Sequence, residues 1–88
     1  MIDIFLHNVA WLRKYHGLTK KEMAKKLGIS VWMLNKIERG ELPSGLKIDV
    51  LYQIRKVFGI PMADSLSVWL NAEELYKIKK VRKPIETE

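Results

Sequence analysis

The sequence predicts an all-α fold, and three observations carry that reading. Apolar residues recur at intervals of three and four, the spacing of one helix face, and no stretch sustains the alternation of a β-strand. Gly17, Gly28, Gly40 and Gly59 each close such a segment, where glycine commonly ends a helix. Thr19 with Glu22, and Asn71 with Glu74, have the spacing of a capping box and mark where helices begin.

Taken in order, Phe5, Val9 and Leu12, with Ile2 leading in, give a first helix over roughly residues 3–16. The second starts at the Thr19 cap, turns Met23, Ala24 and Leu27 inward, and stops at Gly28. Ser30 is a good N-cap for a third, in which Leu34 and Ile37 supply the core contact and Gly40 closes the helix. GELPSGLK reads as a loop, since two glycines and a proline disfavour both regular structures. A fourth helix runs to about Phe58 with Ile48, Leu51, Ile54, Val57 and Phe58 inward. Pro61 suits the first turn of a fifth, whose apolar residues are Met62, Leu66, Trp69 and Leu70. From Asn71 a short sixth helix through Leu75 and Ile78 is expected to end before Pro84.

Eighty-eight residues make one domain. Such a chain buries about 60–65% of its unfolded surface, enough for a core but not for a deep substrate cavity. With 48% hydrophobic and 30% charged residues it is globular rather than disordered. Sixteen Lys and Arg against ten Asp and Glu give a formal charge of +6, which favours a polyanionic partner. There is no cysteine, so disulfides and thiol chemistry are excluded. No apolar run approaches the ~18 residues of a membrane span, and MIDIFLHN does not read as a signal segment. A cytoplasmic protein with no membrane partner is the expectation.

His7 and His16 lie nine residues apart without an acidic cluster beside them. No nucleophile–base set, phosphate-cradling loop or metal spacing occurs, so neither an enzyme nor a cofactor is expected. His16, beside Gly17, reads as a favourable cation at a helix C-terminus.

The central feature is a pair of helices joined by the tight turn Gly28-Ile29-Ser30, a helix-turn-helix arrangement. Glycine there allows a positive φ, and Ile29 can seal the corner. Beyond that pattern, NVAWLRKYHGLTKKEMAKKLGISVWMLNKIERGELP resembles the Cro/C1-type (XRE) helix-turn-helix family. The resemblance is carried by Leu12-Arg13, Gly17-Leu18-Thr19, Glu22-Met23-Ala24, Leu27-Gly28-Ile29-Ser30, Leu34, Ile37-Glu38 and Gly40, and again by IRKVFGIP. It implies a lambda-repressor-like five-helix domain that binds double-stranded DNA, commonly as a homodimer, and regulates transcription, most often as a repressor. Residues 1–70 would form that DNA-binding domain and 71–88 a basic extension, helix or tail. Its stretch KIKKVRK fits a solvated face, a phosphate-binding arm or a dimer-contacting helix.

The same resemblance implies roles for particular residues. Val31, Trp32 and Lys36, with Asn35 beside them, fall at base-contacting positions. Valine could meet a thymine methyl, and Lys36 could reach guanine O6/N7. Thr19, Lys20, Arg39 and Gly40 fall at phosphate-contacting positions, and Lys20 stands where the family often has glutamine. Lys47 is a further candidate, although about three extra residues separate Pro43 from the fourth helix. Arg13 and Glu38 are expected to pair across the first and third helices. Leu66, Trp69 and Leu70 are the candidate dimer interface, with core packing as the other reading. Val31 and Trp32 depart from the family's polar readers. For Trp32, DNA contact, packing onto its own domain and contact with a protein partner all remain open. The alternative function is a protein-binding adaptor or antitoxin-type module that uses the Val31/Trp32 face.

Overall fold

A computed structural model describes residues 2–86, with side chains as far as Lys80. Its helices are α1 (Ile2–Tyr15), α2 (Lys20–Leu27), α3 (Val31–Glu38), α4 (Asp49–Phe58), α5 (Met62–Ser67) and α6 (Ala72–Glu86). Among the described residues there is no strand, so the all-α expectation holds. No described helix is long and apolar enough to cross a membrane.

α1 packs on α3 and α5, α2 on α3 and α4, and α4 on α5. They enclose one core in which Val9, Leu12, Met23, Leu34, Ile37, Ile54 and Ile60 are fully buried. The caps form as the residue types require. Thr19 Oγ1 accepts from the Glu22 amide at 3.1 Å, and Glu22 Oε1 accepts from the Thr19 amide at 2.8 Å. Ser30 Oγ accepts from the Met33 amide at 3.1 Å and so starts α3. Asn71 Oδ1 accepts from the Glu74 amide at 2.8 Å and starts α6.

The turn between α2 and α3 closes as a Schellman motif. The Gly28 amide donates to Lys25 O at 3.2 Å and the Ile29 amide to Ala24 O at 3.0 Å, while Ile29 packs against the core. Gly28 has φ +71°, and no atom lies within 4 Å of where its Cβ would be. Gly28→Ala therefore introduces backbone strain alone. A loss of about 1 kcal/mol, or about 4–8 °C in the thermal midpoint, is expected. Gly28→Asn, which tolerates this conformation, should lose clearly less in the same melting experiment; equal losses would refute the backbone account.

A buried polar residue ties α1 to α5 and the segment that follows it. Asn8 lies on the inner face of α1, fully enclosed. Its Nδ2 donates to Ser65 O at 3.0 Å and Val68 O at 2.8 Å, and its Oδ1 accepts from the Leu70 amide at 2.9 Å. Each polar atom of the amide is thus satisfied against the backbone of α5 and of the segment that follows it.

Several elements differ from the sequence reading. The inward stripe of α4 is Val50, Ile54 and Phe58, with Leu51 on its flank. Ile48 is 75% exposed and Val57 is exposed too. The helix begins only at Asp49, and Ile48 precedes the stripe by two residues, about 200° around a helix. α5 ends at Ser67, so Trp69 and Leu70 are not helical. Val68 is extended, which sends Trp69 outward and Leu70 inward. Pro61 precedes α5 as its N-cap residue instead of lying in the first turn.

The sixth helix is long, not short, and runs past Pro84 to Glu86. A proline forfeits one backbone hydrogen bond, a smaller loss two residues from a helix end than in its middle. Leu75 is buried in the core and Ile78 packs against it. The candidate roles of Arg82 and Lys83 in the basic stretch lie outside the described side chains. His16 follows α1 and packs against Phe58 with its ring tilted, ring centroids 5.0 Å apart. Burial, and then the charge of Lys79, lower its pKa. Its charged form is therefore less favoured than that of a free histidine.

Candidate nucleic-acid interface

The orientation of α3 is fixed from α1. Arg13 donates to Glu38 twice, Nε to Oε2 at 2.5 Å and Nη2 to Oε1 at 3.0 Å. Its Nη1 donates to Leu18 O at 3.0 Å. The guanidinium fork thus joins α1, α3 and the turn before α2 at one point, and only a planar bidentate donor fits it. The hydrogen bond to Glu38 raises the Arg13 pKa above its ordinary value.

With Leu34 and Ile37 buried, α3 turns the opposite side outward. Val31 is 40% and Trp32 57% exposed, adjacent apolar residues on the outward side of one helix. Trp32 therefore does not pack into its own core. Asn35 and Lys36 are half-buried one turn further on. Lys36 Nζ lies over the Trp32 ring, 5.0 Å from its centroid, and 3.4 Å from Glu41 Oε1. The cation–π contact flattens the lysine along the helix instead of extending it into solvent.

Among the phosphate candidates, Thr19 and Lys20 are exposed at the start of α2, and Arg39 and Gly40 are exposed at the end of α3. Arg39 Nε lies 3.2 Å from Glu41 Oε2. Lys47 is exposed and lines, with Gly28, Ser30 and Met33, a cleft of about 350 Å³. The longer loop thus carries a cation to the N-terminal end of α3.

Residues 19–47 contain seven Lys and Arg against three Glu. Two of those carboxylates serve structure, Glu22 in the α2 cap and Glu38 on Arg13. The third, Glu41, holds the two cations at the end of α3. Its pKa is lowered, first by the Arg39 hydrogen bond and then by that of Lys36. Sequence reasoning missed Glu41, although its place just beyond Gly40 was a usable signal. It missed the Trp32–Lys36 contact too, which the i, i+4 spacing offered.

The candidate dimer residues do not form one patch. Leu66 is half-buried, and Trp69 is exposed with its ring edge-on to His7 at 5.1 Å. Leu70 is only 2% exposed, so it belongs to the monomer core and is not available to a partner. The Asn8 hydrogen bond to its amide holds it there.

The helix-turn-helix family matches residues 9–65 of the chain, a span that takes in α2, α3 and their turn. An uncharacterized HTH-type transcriptional regulator of Methanocaldococcus jannaschii is 34% identical over 58 residues, covering 66% of this chain and 85% of that relative. No solved structure matches.

Proposed function

The chain belongs to the Cro/C1-type helix-turn-helix family, and from that premise we propose that it is a cytoplasmic repressor that binds a specific duplex DNA site as a homodimer. Residues 1–70 carry the DNA-binding unit and 71–88 a basic extension. In this reading α3 enters the major groove with Val31 and Trp32 leading, Asn35 and Lys36 following, and Thr19, Lys20, Arg39, Gly40 and Lys47 on the phosphates. The observation that carries it is the outward face of α3, locked in angle by Arg13 and Glu38 and flanked by exposed cations. Val31 meets a thymine methyl, and Trp32 packs on sugar or a base edge.

Selection of bound duplexes from a random library tests this. A two-fold-symmetric motif with half-sites about 34 Å apart is expected. Lys36→Ala should weaken the selected site by about tenfold or more and relax one position per half-site. Lys20→Ala should weaken all sequences alike and flatten the salt slope by about one per contact removed. Equal loss on every sequence for Lys36→Ala would show that it reads no base.

A second reading, a protein-binding adaptor or antitoxin-type module, is favoured by one observation: the exposed pair on α3 is apolar, and its neighbouring lysine lies on the tryptophan. Motif-free binding in the selection, together with capture of a protein through Val31 and Trp32 that is insensitive to salt, would favour it over DNA.

A further inference from the structure

We propose that Glu41 is a specificity-determining residue, an internal carboxylate that occupies the cations of α3 and suppresses binding to DNA of arbitrary sequence. The inference rests on the DNA-binding reading above.

Glu41 is placed by the helix end and not by chance. Gly40, with φ +81°, closes α3 in a Schellman motif: its amide donates to Ile37 O at 3.0 Å and the Glu41 amide to Lys36 O at 2.9 Å. That motif frequently places two apolar side chains at these positions, and at the end of α2 they are Ala24, in the core, and Ile29, packed against it. At the end of α3 the corresponding residues are Lys36 and Glu41, and they form an ion pair. The other carboxylate oxygen takes Arg39. One fixed backbone geometry thus sets a single anion between the two cations nearest the exposed face.

The consequence follows from what a phosphate offers. On a random sequence, Lys36 and Arg39 can only exchange a carboxylate for a phosphate, one anion for another, and the carboxylate is then left beside the DNA backbone. Little is gained. On the preferred site Lys36 reaches a base edge, a contact that no internal carboxylate replaces. Glu41 therefore lowers non-specific affinity more than specific affinity.

The test compares Glu41→Gln with Glu73→Gln, which removes the same charge from the first turn of α6 and leaves Lys77 its second partner, Glu74. Binding to a random-sequence duplex and to the selected duplex is measured across salt concentrations, with circular dichroism to check folding. For Glu41→Gln the expected result is several-fold tighter binding to random duplex at low salt. Its salt slope steepens by about one to two per subunit as two more cations release counterions, and the specific-to-random ratio falls. Glu73→Gln should change each quantity distinctly less. If the two variants behave alike, or the ratio for Glu41→Gln does not fall, the role of Glu41 is overturned while DNA binding stands. If the unaltered protein binds neither duplex at any salt, the DNA reading and this inference fail together.

Discussion

Asn8→Ala is expected to destabilise the protein by about 3–5 kcal/mol, enough to leave a domain of this size partly unfolded at room temperature. The substitution removes a donor from Ser65 O and Val68 O and an acceptor from the Leu70 amide. Each backbone group left unpaired in the interior costs about 1–3 kcal/mol. The lost bonds also free the extended segment that carries Leu70 into the core. Asn8→Asp sharpens the test because its carboxylate can accept from Leu70 but cannot donate to the two carbonyls. Burial raises the pKa of that carboxyl, so the folded state binds its proton more tightly than the unfolded state does. Stability of Asn8→Asp should therefore rise as pH falls toward the carboxylate range and be lost as pH rises. Urea unfolding of both variants at several pH values measures this; a loss below about 1 kcal/mol for Asn8→Ala would show that water replaces the amide.

Asn8 also shows what the sequence held and what it concealed. It sits between Phe5 and Leu12 on an apolar stripe, a polar residue where a core residue belongs, so its importance could have been noticed. Its partners could not, because they lie about sixty positions away. The helix starts and stops around α2 and α3 were legible because each depends on one or two side chains and the adjacent backbone: Thr19, Glu22, Gly28, Ser30. The inner face of α4 was not. Ile48, Leu51, Ile54, Val57 and Phe58 satisfy a helical period nearly as well as Val50, Ile54 and Phe58 do. The choice between them depends on where the preceding loop lets the helix begin. In the same way Trp69 and Leu70 continue the spacing of α5, yet the backbone leaves the helix at Val68, two residues before the amide that Asn8 accepts from.

In the candidate interface, periodicity correctly placed Val31 and Trp32 outward, since two buried neighbours settle the rotation of so short a helix. How Lys36 is held was less accessible. Its position depends on a ring one turn away and on Glu41, a residue brought close by the helix end.

The second large effect expected concerns Arg13, and it separates stability from recognition. Arg13→Lys keeps the charge but replaces a fork that makes three hydrogen bonds with a single ammonium. The side chains are only 17% and 11% exposed, so Glu38 loses geometry in a site poorly screened by water. A cost of about 2–3 kcal/mol is expected, below the ~3–5 of a fully buried pair because some solvent remains. Arg13→Met with Glu38→Leu should recover much of that loss, since two apolar residues leave no charge unpaired. If the pair served only stability, this double variant would bind DNA as well as the original protein. The geometry argues otherwise: the fork sets α3 against both α1 and Leu18, and apolar side chains impose no such angle. The double variant is therefore expected to be stable but to bind the selected duplex about tenfold more weakly, which corresponds to about 1.4 kcal/mol. Its salt slope should be unchanged, because Arg13 is engaged with Glu38 and Leu18 and releases no counterion from the DNA. Titration of both variants at a temperature where each is folded decides the matter. A flattened slope would instead identify Arg13 as a phosphate contact, and full affinity would leave the angle of α3 to the hydrophobic contacts of Leu34 and Ile37.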